Sequence, residues 1–259
     1  TETGGIMISP MAGVTPTKPT FATRPLPGIQ PCILDDSGNE VNTNPAEGKL
    51  CIKYPWPSIA RTIYGDNWPN RAHNWFPCVD HPSDKATIEY TITAPNHYQV
   101  IANGLEIEET NINSNLKQYN YKSNTPIPTK VMVIGIAKFA VQNIGETHNI
   151  PVSTWVYPQT KEAGFHDFST AKEILDFFIE NVGEYPFEKL ANVQSKTRFG
   201  GMENAGNIFY FEKSVTGERK HEDLIAHEIA HQWFGNSATE IDWPHIWLSE
   251  GFATYFTNL

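Results

Sequence analysis

His227-Glu228-Ile229-Ala230-His231 constrains this chain more than any other five residues in it. Leu224, Ile225, Ile229, Trp233 and Phe234 flank and interleave it at helical spacing, which predicts a helix over 222–234 closed by Gly235. On such a helix the two imidazoles lie one turn apart on one face and can reach a single ion. Neutral imidazole suits zinc, and a catalytic zinc site takes three protein ligands and leaves a fourth position for water or substrate. Glu228, next to the first histidine, can reach that fourth position and serve as general base. Glu250, within Trp247-Leu248-Ser249-Glu250-Gly251-Phe252, is the best third ligand. It falls on a further helix predicted over about 243–255, with Asp242 as cap and Pro244 in its first turn. The short connection brings that helix back against the first. The expectation is one Zn2+ held by His227, His231 and Glu250.

The rest of the chain divides into three zones. Residues 1–66 are rich in Gly, Pro and Thr, with short strand candidates at 30–34 and 49–54 separated by Asp35-Asp36-Ser37-Gly38-Asn39, a turn sequence. Residues 67–157 read as an antiparallel β domain. Residues 87–93 alternate with period two, and 98–102, 117–123, 130–136 and 152–156 are further strand candidates; Asn103-Gly104 supplies a turn. Residues 158–259 read as mostly helical. Ala171, Ile174, Leu175, Phe178 and Ile179 predict a helix over 169–182, stopped by Gly183 and Pro186. Strands are expected around Gly200-Gly201, between 193 and 210.

Composition excludes some classes. The formal net charge is −10 over 259 residues, against a general nucleic-acid binder, which needs a basic face. Cys32, Cys51 and Cys78 are odd in number and form no CxxC, so neither a disulfide framework nor a cysteine zinc knuckle is expected. No apolar run reaches membrane-spanning length and no signal peptide is visible. The sequence opens at Thr1 rather than Met, so the expectation is that the natural N-terminus lies upstream and the compartment stays open. Composition gives no oligomeric state.

The motifs carry a resemblance. HEIAHQWFG (227–235) followed by WLSEGFA (247–253) resembles the aminopeptidase N and leukotriene hydrolase family of gluzincin zinc peptidases. Gly200-Gly201-Met202-Glu203-Asn204-Ala205-Gly206 is similar to that family's GxMEN exopeptidase motif, and Phe76-Pro77-Cys78-Val79-Asp80-His81-Pro82 to part of its N-terminal β domain. The resemblance covers 67–259. It implies His227, His231 and Glu250 as zinc ligands, Glu228 as general base, and Glu203 as the carboxylate that holds a substrate's free α-amine. Gly200, Gly201 and Met202 would border the substrate, the glycines allowing close backbone approach. The implied substrates are peptides with a free N-terminus. Three departures stand out. No residue in 251–259 matches the family's oxyanion tyrosine; Tyr255 reads as packing. Trp68 stands where many relatives carry a second amine-binding residue. Thr257 stands where many carry an acid that orients a zinc-binding histidine.

Residues 1–66 resemble a different family. Thr1-Glu2-Thr3-Gly4-Gly5, Glu47-Gly48-Lys49-Leu50-Cys51-Ile52 and Ala60-Arg61-Thr62-Ile63-Tyr64-Gly65-Asp66 are similar to an internal stretch of acetyl-CoA synthetase, without that family's phosphate loop or catalytic lysine. The two resemblances meet at Tyr64-Gly65-Asp66, which implies a join between two incomplete domains.

The expected fold class is therefore α+β: an antiparallel β domain (67–157), then a truncated thermolysin-like gluzincin catalytic domain (158–259), preceded by an unrelated β- and turn-rich piece (1–66). The implied activity is zinc-dependent removal of N-terminal residues from peptides. The alternatives are an inactive zinc-binding domain and a thermolysin-like endopeptidase.

Overall fold

The computed structural model describes residues 31–35, 37–43, 49–52, 72, 76, 78–197 and 200–258. The chain divides into two compact units, one of residues 1–61 and 74–76, the other of 62–73 and 77–259. In the first, β1 (Pro31–Leu34) pairs antiparallel with β2 (Lys49–Ile52). The turn after β1 is closed by Asp35, whose Oδ1 accepts from the backbone N–H of Ser37 at 2.9 Å and of Asn39 at 2.8 Å. The Thr-Glu-Thr string, the Tyr64–Asp66 junction and Trp68 lie outside the described residues.

The second unit begins with two small antiparallel sheets packed face to face. β3 (Lys85–Pro95), β5 (Leu105–Asn111) and β6 (Leu116–Pro128) form one, in the order β3-β6-β5. β4 (Gln99–Ala102) and β7 (Ile134–Ala137) form the other. The alternation read in 87–93 is the pleat: Ile92 and Ala94 point inward and meet Tyr119, Tyr121, Val100 and Ala102. Gly104 turns the chain at φ 77°, where a side chain would also strike the Lys122 carbonyl. The strand candidate at 130–136 starts later than expected, because a 3-10 turn over Thr129–Val131 precedes β7.

A five-stranded mixed sheet follows, in the order β11-β12-β10-β9-β8. Its members are β8 (Ala140–Thr147), β9 (Ile150–Val156), β10 (Leu190–Ser195), β11 (Gly201–Met202) and β12 (Asn207–Phe211). β9, β10 and β12 run parallel, and the outer strands pair antiparallel. β8 and β9 precede residue 157, so this sheet runs across that position. β10 is buried along its whole length, as a central parallel strand covered on both faces must be. On one face Ile101, Val133, Met202 and Phe209 pack together. On the other, α1 (Lys161–Asp167) lies so close to β9 that Gly164 has no room for a side chain beside Val156. α2 (Ala171–Asn181) buries Ala171, Leu175 and Phe178, the stripe its periodicity predicts.

The expected helix over 222–234 is shorter. α3 spans Glu222–Ala230, and the chain then tightens through turns to Gly235, whose φ of 120° only glycine adopts readily. The helix expected from Trp243 is likewise split. A 3-10 turn over Trp243–His245, capped by Asp242 accepting from the Trp243 N–H at 2.7 Å, precedes α4 (Trp247–Thr257).

Candidate metal centre

α3 and α4 pack side by side. Ser249 and Ala253, one turn apart on α4, are buried in the contact. Phe234 stacks on Phe252 and Phe256 with ring centroids 5.4 and 4.6 Å away. Gly235 lets the helices close, since a side chain there would overlap the Ser249 hydroxyl. This packing brings Glu250 to the two histidines although nineteen positions separate it from His231.

The Nε2 atoms of His227 and His231 lie 3.1 Å apart, and each lies 3.5 Å from Glu250 Oε2. A tetrahedral zinc with ligand distances of about 2.0–2.1 Å holds its ligand atoms roughly 3.3–3.4 Å apart. Two imidazoles and a carboxylate at these spacings fit such an ion, and among the described residues this trio is the group with metal-holding geometry. The side chain of His231 is 2% exposed, that of His227 24% and that of Glu250 48%, so the trio is most accessible on the Glu250 side.

The His231 ring is held from behind. Its Nδ1 lies 3.0 Å from the Phe234 carbonyl, which can only accept, so Nδ1 carries the proton and Nε2 is left for a metal. Ser249 Oγ stands 3.2 Å from the same Nδ1 and donates to the same carbonyl at 3.1 Å. Thr257, where an orienting acid was sought, donates instead to the Ala253 carbonyl at 2.8 Å within its own helix. A backbone carbonyl and a serine therefore provide the orientation, which the sequence motif alone does not announce.

Charge in the site is dense. Burial raises the Glu228 carboxyl to about 8, with the Glu203 charge adding to the rise. Burial works to lower His231, but its hydrogen bond to Glu250 and the charges of Glu203, Glu228 and Glu250 outweigh it and carry the imidazole up to about 9. Hydrogen bonding to His227 and His231 holds Glu250 well below the usual carboxylate range. A carboxylate-rich pocket of this kind is stabilised by a cation. Glu203 Oε1 and Glu228 Oε2 are buried without a hydrogen-bond partner among the described residues.

The sequence-predicted substrate residues separate on inspection. Glu203, 6% exposed, lies near enough to Glu228 for their charges to couple. Gly201 abuts Glu228, whose carboxylate fills the space a side chain would take; the missing side chain admits that carboxylate. Gly200 is exposed, beside Leu224. Met202 differs from expectation. Its side chain packs with Ile101, Val193 and Phe209 in the core, while its neighbour on β11, Gly201, faces Glu228. Tyr255 also differs: it is 62% exposed rather than packed. Sequence reasoning passed over Gln232 and Asn236. Both are fully buried carboxamides, and their place one and five positions after His231 on an apolar stretch was the available signal.

Comparison with known proteins bears on the same segments. Residues 166–259 match the Peptidase family M1 domain and residues 61–131 the Peptidase M1 N-terminal domain. Mouse (Mus musculus) glutamyl aminopeptidase is 29% identical over 213 residues, 78% of this chain and 22% of the relative. Aminopeptidase M1 of Arabidopsis thaliana is 31% identical over 202 residues, 74% of this chain and 23% of the relative. The chain thus spans about a fifth of the length of these curated relatives. An M1 zinc metallopeptidase from Deinococcus radiodurans superposes with a TM-score of 0.63 at 26% identity, covering 78% of this chain and 46% of that one. A mutant of it solved with a Tyr-Ser-Ala substrate matches with the same TM-score at 25% identity. Among the described residues no helix is long and apolar enough to cross a membrane. Motif, fold and matched segments agree: across residues 61–131 and 166–259 this chain resembles the M1 zinc metallopeptidases, the aminopeptidase N-like gluzincins.

Proposed function

We propose that residues 67–259 carry the metal centre and amine anchor of a zinc aminopeptidase acting on peptides with a free N-terminus. The observation that carries this reading is the triangle of His227 Nε2, His231 Nε2 and Glu250 Oε2, with sides of 3.1, 3.5 and 3.5 Å, beside two buried carboxylates. One bound zinc ion would polarise the scissile carbonyl and acidify water to a pKa of about 7. Glu228 takes a proton from the attacking water and delivers it to the leaving amine. Its raised affinity for a proton suits this shuttle, and a nearby cation draws it back toward the ionised form. Glu203, with an open oxygen in a buried position, meets the substrate ammonium, which places the first peptide bond at the metal. Gly200 leaves the backbone open on that side, Gly201 gives its space to Glu228, and Met202 supports the strand from the core.

The similarity to glutamyl aminopeptidase, and to a metallopeptidase solved with Tyr-Ser-Ala, supports peptides as the substrate class. The test is direct. The zinc-loaded chain is offered Tyr-Ser-Ala and its N-acetylated form, with zinc measured by elemental analysis. Release of tyrosine from the free-amine peptide alone is expected. Equal cleavage of both peptides would make this an endopeptidase, and zinc without cleavage would make it a metal-binding module.

The acetyl-CoA synthetase-like strings before residue 66 support a second parent sequence for residues 1–66, joined at 64–66. An incomplete domain cannot bury its own core, which argues for an artefactual join. Long-read sequencing of the source DNA across the codons for 60–70 tests it; continuous reads from independent clones would defeat the idea.

A further inference from the structure

Glu203 and Glu228 sit on different elements, and a single side chain ties their backbones together. Gln232, fully buried, donates from Nε2 to the Glu203 carbonyl at 3.0 Å and to the Glu228 carbonyl at 3.3 Å. Its Oε1 accepts from the Gly206 N–H at 2.9 Å. Both amide protons and the amide oxygen are therefore used. A second buried carboxamide converges on the same point. Asn236 Nδ2 donates to the Glu203 carbonyl at 2.6 Å, while the Asn236 N–H bonds the His231 carbonyl at 3.2 Å. From the far side, Asn103 Nδ2 donates to the Ala205 carbonyl at 2.8 Å, and the Ala205 N–H bonds the Val131 carbonyl at 3.1 Å.

We propose that Gln232, with Asn236 beside it, is a positioning residue that fixes the Glu203 carboxylate relative to Glu228 and the metal ligands. It acts through the Glu203 peptide. Two donors on one carbonyl hold that peptide plane, and the plane sets the direction in which the Glu203 side chain leaves the backbone. The donors are rooted one and five residues after His231, so the anchor is referred to the metal rather than to the sheet. A shift of α3 together with the turns that follow it carries His227, Glu228, His231 and the Glu203 peptide as one. The spacing between the ammonium site and the scissile bond, one residue of substrate, is preserved by this link. The other backbone bonds of 203–206 among the described contacts run to Asn103, Val131, Ala191 and neighbours within the segment, and none of them reaches α3 or the turns that follow it.

The inference rests on the aminopeptidase reading, and two measurements separate their failures. The full chain and its Gln232→Met and Asn236→Ala variants are loaded with zinc. KM and kcat are measured for Tyr-Ser-Ala and its N-acetylated form, and backbone hydrogen exchange is followed over 200–207 and 222–231. Gln232→Met is expected to keep its zinc, to raise KM for the free-amine peptide on the order of tenfold with kcat changed less, and to lose preference over the acetylated peptide. Asn236→Ala is expected to move the same way by less. Exchange should speed up over 200–207 and not over 222–231. A folded, zinc-loaded Gln232→Met chain with unchanged KM, preference and exchange overturns the proposal. So does an Asn236→Ala chain with unchanged KM and exchange if Gln232→Met does not fold. Should the parent chain bind zinc yet handle neither peptide, the aminopeptidase reading fails, and exchange over 200–207 alone decides the positioning role.

Discussion

Gly201 and Glu228 share one space: a Cβ on Gly201 would overlap the Glu228 carboxylate, so the strand edge and the base fit only because position 201 has no side chain. The glycine belongs to the base as much as to the cleft.

Gly201→Ala should therefore displace Glu228 while leaving His227, His231 and Glu250 in place. We expect zinc content to be unchanged and peptide hydrolysis to fall about a hundredfold, a typical loss for a general base out of position. Steady-state kinetics with metal analysis on the same sample checks both halves. A fully active Gly201→Ala enzyme would mean that Glu228 is free to move aside.

The roles of Glu228 and His231 separate in a pair of variants. Glu228→Gln keeps the shape and the metal and should lose about 10²–10⁴-fold in kcat. His231→Ala removes a ligand whose side chain is 2% exposed and should lose the metal itself, seen as absence of stoichiometric zinc after dialysis.

Behind His231, the Phe234 carbonyl and Ser249 hydroxyl hold Nδ1. Ser249→Ala removes one of the two, and the carbonyl remains. Zinc affinity should weaken by about tenfold, at the low end for an outer contact to a metal ligand. Thr257→Ala, which removes a hydroxyl bonded within its own helix, should leave zinc affinity unchanged. Chelator competition measures both.

Zinc binding should strengthen with pH. In the metal-free chain His231 holds its proton up to about 9, and that proton must leave when Nε2 takes the metal. Below that value each unit of acidification should cost up to about tenfold in apparent affinity for this proton, and the Glu228 proton that a cation draws off steepens the slope below about 8. Competition titrations at several pH values between 6 and 9 should give this slope, and a flat response would contradict the assignment.

Lys189 is not among the residues of the metal centre and offers a stability test. Its amine donates to the Ala102 carbonyl at 2.8 Å and sits 4.9 Å from the Tyr121 ring centroid. Desolvation lowers it to about 7. The unfolded chain, with an ordinary lysine near 10.4, then binds more protons than the folded chain between about pH 7 and 10. Stability gains from this group as pH rises through that window, by at most about 1.4 kcal/mol per unit, and the penalty is full below it. Urea unfolding of the parent and Lys189→Met chains at pH 6 to 9.5 should show the parent gaining on the variant as pH rises.

Much of this was legible in one dimension, for identifiable reasons. The period-two alternation of Ile88, Tyr90, Ile92 and Ala94 is the pleat of β3 written in the sequence, and the stripe Ala171, Leu175, Phe178 is the buried face of α2. His227 and His231 needed only helical spacing to share a face. Local geometry fixes all of these. β5 was not legible, because its residues are exposed on both faces and no burial imposes a pattern on them. The end of α3 at Ala230 was not legible either, since the apolar residues that continue past it to Phe234 pack from turns, not from helix.

By itself the sequence determined which residues could hold a metal, because ligand type and a four-residue spacing are local properties of a helix. Tertiary structure alone decided that Glu250 meets the histidines at 3.5 Å, that Met202 packs into the core, and that Gln232 bonds both the Glu203 and the Glu228 carbonyls. Those outcomes depend on the packing of α3 against α4 and β11, which is a sum of contacts between residues far apart in the chain.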